Sequence, residues 1–149
     1  MTTIILLSLA GAVLSAAIGT LWYSDKTPMG KIHLRSVGFD TLSEEERKRK
    51  MEEAKPMMPK MYAGQLLLSF LTSFAVVFII VMSVRNGVSF PMAVGFAVFN
   101  WLAFMVPAIG SGIIWGNGDR KIAWQKFFSD SLSNLVTILL IALLAGLLV

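Results

Sequence analysis

The chain contains no cysteine. That excludes disulfides, thiolate nucleophiles, iron–sulfur clusters and cysteine zinc sites together. It contains one histidine, His33, so a histidine-based metal site would need carboxylates or a neighbouring subunit to complete it. No triad pattern, phosphate-binding glycine loop, HExxH or EF-hand spacing occurs. No metal, no cofactor and no catalytic residue is assigned. Charge is scarce too: 15% of the residues are charged and 56% are hydrophobic, with a mean hydropathy of +0.72. A soluble chain of 149 residues cannot bury so much apolar surface in one aqueous core, so a bilayer is the expected solvent.

Lys and Arg are missing from four long apolar stretches, and their placement gives a topology. Most of the 13 lie between Ser24 and Met61 or between Asn117 and Lys126, and Arg85 stands apart. The expected fold class is all-α: a polytopic membrane protein with four transmembrane helices and a cytoplasmic amphipathic loop helix. The spans fall at about 2–23, 62–84, 91–115 and 127–149, in a single domain 1–149 with a cytoplasmic loop over 24–61. Basic residues of short loops stay in the cytoplasm. Both basic loops are therefore expected there, with both termini outside and the cell (inner) membrane as the location. The net charge of +4 sits beside the membrane, so it points to anionic lipid rather than nucleic acid. The apolar N-terminus has no preceding positive charge and closes on Trp22-Tyr23, unlike a cleaved signal.

Gly11, Ser15 and Gly19 place small side chains on one face of the first span, where another helix can approach. In the long connection, Lys31, His33 and Arg35 mix with Ile32, Leu34 and Val37, which suggests a short interfacial segment. Ser43 and Glu46 have capping-box spacing and predict a helix over about 42–55, solvated on the membrane surface. Pro56 and Pro59 should end it. Pro107 should kink the third span. Asn86-Gly87 and Asn117-Gly118-Asp119 read as turns. Gly19 to Trp22 and Gly112 to Trp115 both precede basic loops; interface anchoring by Trp or an internal duplication would explain the match.

Asp130 is the sharpest candidate for chemistry, because a carboxylate within an apolar span usually faces a bundle interior or water. It lies near a helix N-terminus, and Lys126 is placed to pair with it one turn earlier. Tyr23, Gln65, Asn100, Asp130 and Asn134 are the candidate substrate-binding residues of a polar cleft. Interhelical hydrogen bonding is the competing explanation for Gln65 and Asn100. Lys31, Arg35, Arg47, Lys48, Arg49 and Lys50 are the candidate contacts to anionic head groups.

Leu21-Trp22-Tyr23-Ser24, followed by Gly30-Lys31, resembles the signature of a family of small prokaryotic four-span membrane proteins catalogued as a domain of unknown function. Trp101 to Pro107, the Leu42 to Glu46 run, and Asp130 followed by Asn134 are similar to its later segments, in the same order. Two positions depart from the pattern: Asp25 stands where a proline is expected, and Asn134 where a histidine is expected. No histidine-based role therefore carries over to position 134. The resemblance implies a prokaryotic membrane and no established activity.

The leading functional expectation is transport or binding of a small solute or cation through the polar cleft, in a homo-oligomer because four spans make a narrow bundle. The alternative is a non-catalytic scaffold or accessory subunit that binds anionic lipid or a partner protein. A lipid head-group enzyme is third, disfavoured by the shortage of titratable groups.

Overall fold

The computed structural model describes residues 1–116 and 119–147. The Asn117-Gly118 part of the expected turn and the last two residues of the expected fourth span lie outside the described residues. The elements are α1 Thr2–Trp22, α2 Pro28–Ser36, α3 Glu44–Ala54, α4 Met58–Arg85, α5 Phe90–Asn100, a π turn Trp101–Met105, α6 Val106–Ile114 and α7 Arg120–Gly146. No strand occurs among the described residues. Four helical segments are long and apolar enough to cross a membrane: α1, α4, α5 through α6, and α7.

Helices α4 and α7 form the centre, and each packs against α1 and α5. The core is aliphatic and small: Ile4, Val77, Ile80, Ala93, Ile141 and Ala145 are sealed from the surface. Lipid tails are as apolar as these side chains, so close helix approach rather than water exclusion must hold the bundle. The small face of α1 does this in part. Gly11 lies against Ser73 of α4 and Ile141 of α7. The Ser15 hydroxyl donates to Ser69 Oγ at 3.3 Å. The Gly19 position faces open space, so the small face serves the bundle over its first two members only.

The helix ends follow local chemistry. Helix α4 starts at Met58, earlier than hydropathy suggests, because Pro59 sits in the first turn where no N–H is needed. Helix α7 starts at Arg120 and runs through polar residues before it turns apolar. The Asp119 carboxylate caps it, accepting from Lys121 N–H at 2.7 Å and Ile122 N–H at 3.3 Å. In the third span, Pro107 cannot donate to the carbonyl one turn back. The disturbance appears as the π turn Trp101–Met105, just ahead of the proline. Phe99, Leu102 and Phe104 on this span are exposed, as a lipid-facing surface requires.

The interfacial segment of the long connection is a helix, α2. Thr27 caps it, accepting from Gly30 N–H at 2.9 Å. The capping box of α3 is complete: Glu46 N–H donates to Ser43 Oγ at 3.2 Å, and Ser43 N–H donates to Glu46 Oε2 at 2.9 Å. These bonds hold the Glu46 carboxyl below the usual carboxylate range. No α3 residue is buried, so α3 is a solvated helix. Helix α2 packs on α7. The long connection and the start of α7 therefore meet at one end of the bundle, the basic end.

Candidate functional site

The basic end is organised by a tight corner between α1 and α2. The Thr27 hydroxyl lies 2.7 Å from Trp22 O and 2.8 Å from Ser24 O, and so ties the end of α1 to the start of α2. Gly30 rests on this corner's backbone; a Cβ there would lie 2.8 Å from Tyr23 O and nearer still to the Ser24 carbonyl. Only glycine permits that approach. The corner folds α2 back onto α7 and sets the His33 ring beside the Tyr23 ring, with centroids 5.2 Å apart.

From the end of α1, two adjacent side chains reach α7. Trp22 Nε1 donates to Ser129 Oγ at 3.1 Å, and the Tyr23 hydroxyl donates to Asp130 Oδ1 at 2.7 Å. The other carboxylate oxygen, Oδ2, accepts from the Lys126 ammonium one turn earlier on α7. Asp130 is thus held at both oxygens, which offsets the cost of a charge in an apolar span. The side chains of Lys126 and Asp130 are 35% and 19% exposed. The pair is sheltered but reachable.

His33 completes the cluster. Its Nδ1 is enclosed with no hydrogen-bond partner among the described residues. Burial, and then the positive charge of Lys126, lower its pKa from the ordinary histidine value, and Asp130 opposes them. The ring is therefore neutral at pH 7.

A cleft of about 510 Å³ opens beside this cluster, bounded by α2, α6 and α7. Lys126 and Asp130 line its deeper part, Ile109, Ile113 and Phe127 form apolar walls, and the exposed Arg35 lies at the rim. Its size is that of a site for a small organic molecule.

Of the residues expected to bind substrate, the structure brings Tyr23 and Asp130 together. Asn134 lies one turn further on, but its amide donates to the main-chain O of Asp130 at 2.8 Å and leaves the carboxylate alone. Gln65 is exposed on α4. Asn100 donates to Phe96 O at 2.9 Å, within α5. Neither lines the cleft. Among the expected lipid contacts, Arg35 lines the cleft, while Lys31, Arg47, Lys48, Arg49 and Lys50 are exposed outside it. Sequence reasoning missed His33 as a member of the cluster. Its signal was the Gly30 corner, which aims α2 at α7. The two Trp positions of the internal match also differ: Trp22 is bonded to α7, and Trp115 is 84% exposed.

The family described as Protein of unknown function (DUF1761) matches residues 6–146. The chain belongs to that family. No curated protein and no solved structure matches it. The matched stretch includes the whole Tyr23–His33–Asp130 cluster and both walls of the cleft. The candidate site thus lies inside the DUF1761 unit.

Proposed function

We propose that this DUF1761 protein is a multi-pass protein of the cell (inner) membrane that binds a polar or charged ligand in the Asp130 cleft, as the recognition step of a transport-type function. One observation carries the reading. The single acidic residue within the four spans is pinned by Tyr23 and Lys126 at a cleft open to the basic end. An intramembrane carboxylate with a displaceable cation partner is a common way to bind and release a ligand. The π turn of the third span is compatible with transport, because α6 directly after it forms one wall of the cleft and such turns are frequent at functional sites. Beyond Thr137 the core is closed, with buried Ile138, Ile141, Ala142 and Ala145 on α7, so movement of α6 is the step that would pass a ligand onward. In this reading the basic loops are cytoplasmic, the termini are outside, and homo-oligomerisation widens the narrow bundle.

The test is ligand-induced stabilisation of the purified protein. The probes are sodium, potassium, ethanolamine, glycerophosphoethanolamine and phospholipids of defined head group. A probe at about a hundred times its Kd adds about 2.7 kcal/mol, which is readable as a raised Tm. Wild type should respond to at least one probe, and Asp130→Asn should lose that response. Lys126→Met serves as a second variant should the first fold poorly. No response in wild type, or an equal response in both variants, refutes the reading. A scaffold or accessory-subunit role has its own support in α3, a helix with no buried residue that carries Arg47, Lys48, Arg49 and Lys50. Charge reversal there should release anionic vesicles or a partner without touching the cleft.

A further inference from the structure

The shape of the cleft says more about its ligand than Asp130 does, given the reading above that the cleft is the ligand site. Polar groups lie at two levels. Asp119 and Asp130 are about 16 Å apart along α7 at the helical rise per residue. The two exposed charged residues of the lining, Arg35 and Asp119, belong to its rim, and the less exposed Lys126–Asp130 pair lies further along α7. The wall between and beside them is apolar, formed by Ile113 and Ile109 of α6 and by Ile122 and Phe127 of α7. A monovalent cation or a compact solute needs only one level and no apolar wall. An elongated amphiphile uses all of it.

The rim selects the head group. It offers one cation and one carboxylate, so a purely anionic group gains at Arg35 and loses at Asp119. Asp119 spends Oδ1 on its cap, and Oδ2 pairs with no cation among the described residues. That oxygen is free to accept from an N–H donor. A primary ammonium supplies three, and a quaternary ammonium supplies none. Arg35 suits a phosphate through its planar fork. Its present partner, Asp40, is 4.0 Å away in an exposed pair, which is weak and readily displaced. Phe127 of the cleft wall packs against Trp124 and Phe128, both exposed, as a surface bordering acyl chains would be.

We propose that the cleft holds a phospholipid whose head group combines a phosphate with a primary amine, as in phosphatidylethanolamine. The phosphate sits on Arg35 and the ammonium on Asp119. The glycerol ester region lies toward Lys126, and one chain leaves past Ile109 and Phe127.

The test is lipid titration of the full chain in detergent, followed by native mass spectrometry. Four ligands are compared: phosphatidylethanolamine, phosphatidylcholine, phosphatidylglycerol and soluble glycerophosphoethanolamine. Phosphatidylethanolamine should bind about tenfold more tightly than the other two lipids, the worth of one charge-assisted hydrogen bond. Asp119→Asn, which keeps the helix cap, should erase the preference over phosphatidylcholine. Arg35→Gln should weaken both of these lipids alike. Phosphatidylglycerol binding as well as or better than phosphatidylethanolamine overturns the proposal, because bulk attraction to the basic loops then explains retention. An unchanged preference in Asp119→Asn overturns it as well. Soluble glycerophosphoethanolamine binding as tightly as the lipid rules out the lipid but leaves the cleft a ligand site. Failure of all four ligands overturns this proposal; the reading beneath it falls as well only if sodium, potassium and ethanolamine also leave the Tm unchanged.

Discussion

Replacing Gly11 by alanine tests how the bundle is held together. The added methyl would overlap the Ser73 hydroxyl and come within 3.2 Å of Ser73 Cβ and 3.3 Å of Ile141 Cγ1. Overpacking of this kind costs about 1–3 kcal/mol. Alanine also gains up to about 1 kcal/mol over glycine in a helix interior, which masks part of the cost in the single variant. A double-mutant cycle removes the mask. Ser73 is fully buried, and its hydroxyl has no partner among the described residues. Ser73→Ala alone should therefore be neutral or slightly stabilising. In the Gly11→Ala/Ser73→Ala variant the methyl occupies the vacated volume, and about 1–2 kcal/mol of coupling should appear. The assay is reversible unfolding in mixed micelles, with helicity and Trp fluorescence followed together. Additivity within about 0.5 kcal/mol would mean that α1 and α4 do not meet at Gly11, and the packing argument would fall with it.

Three further outcomes are expected. Gly30→Ala should disrupt the α1–α2 corner, since its Cβ meets backbone rather than a side chain; loss of protection of α2 in hydrogen exchange, with α4 unaffected, would show it. Ser43→Ala should fray α3 yet leave the Tm of the bundle unchanged, because no α3 residue is buried. Glu46 in α3 is held ionised by Ser43, so that local stability is full above the ordinary glutamate pKa and is lost as pH falls through the lowered value; circular dichroism of wild type and Ser43→Ala against pH checks both points. His33 has a lowered pKa, so on acidification the unfolded chain takes up the proton first. Its stabilising contribution is full above about pH 6.5 and declines as pH drops towards the folded value. The Tm should begin to fall as pH drops below about 6.5, and less so in His33→Gln.

The membrane architecture was legible because the bilayer imposes it: apolar runs long enough to span, and basic residues gathered in two connections. Boundaries were less legible where the helix outlasted its hydropathy. Helix α7 is capped at Asp119 and crosses polar residues before Phe127, while the apolar run alone marks only the later part. The π turn could not be read directly; Pro107 announced a disturbance but not its form. Within the candidate site, Asp130 stood out through its cost in an apolar span, and its pairing with Lys126 follows from helical spacing. Gln65 and Asn100 were chosen by residue type and approximate depth. Depth says nothing of azimuth, and the structure turns Gln65 outward and satisfies Asn100 within its own helix. His33 and Arg35 reach the site through tertiary placement of α2, which depends on the close backbone contact at Gly30.

The account rests on two basic connections meeting at one face of a four-span bundle. The absence of cysteine provides a clean background for single-cysteine labelling in intact cells with a membrane-impermeant maleimide. Ser43→Cys and Lys121→Cys should both be protected until the membrane is permeabilised, and Thr3→Cys and Val88→Cys should both react at once. Ser43→Cys and Lys121→Cys reacting from opposite sides would contradict the fold, the cleft and the function proposed for it.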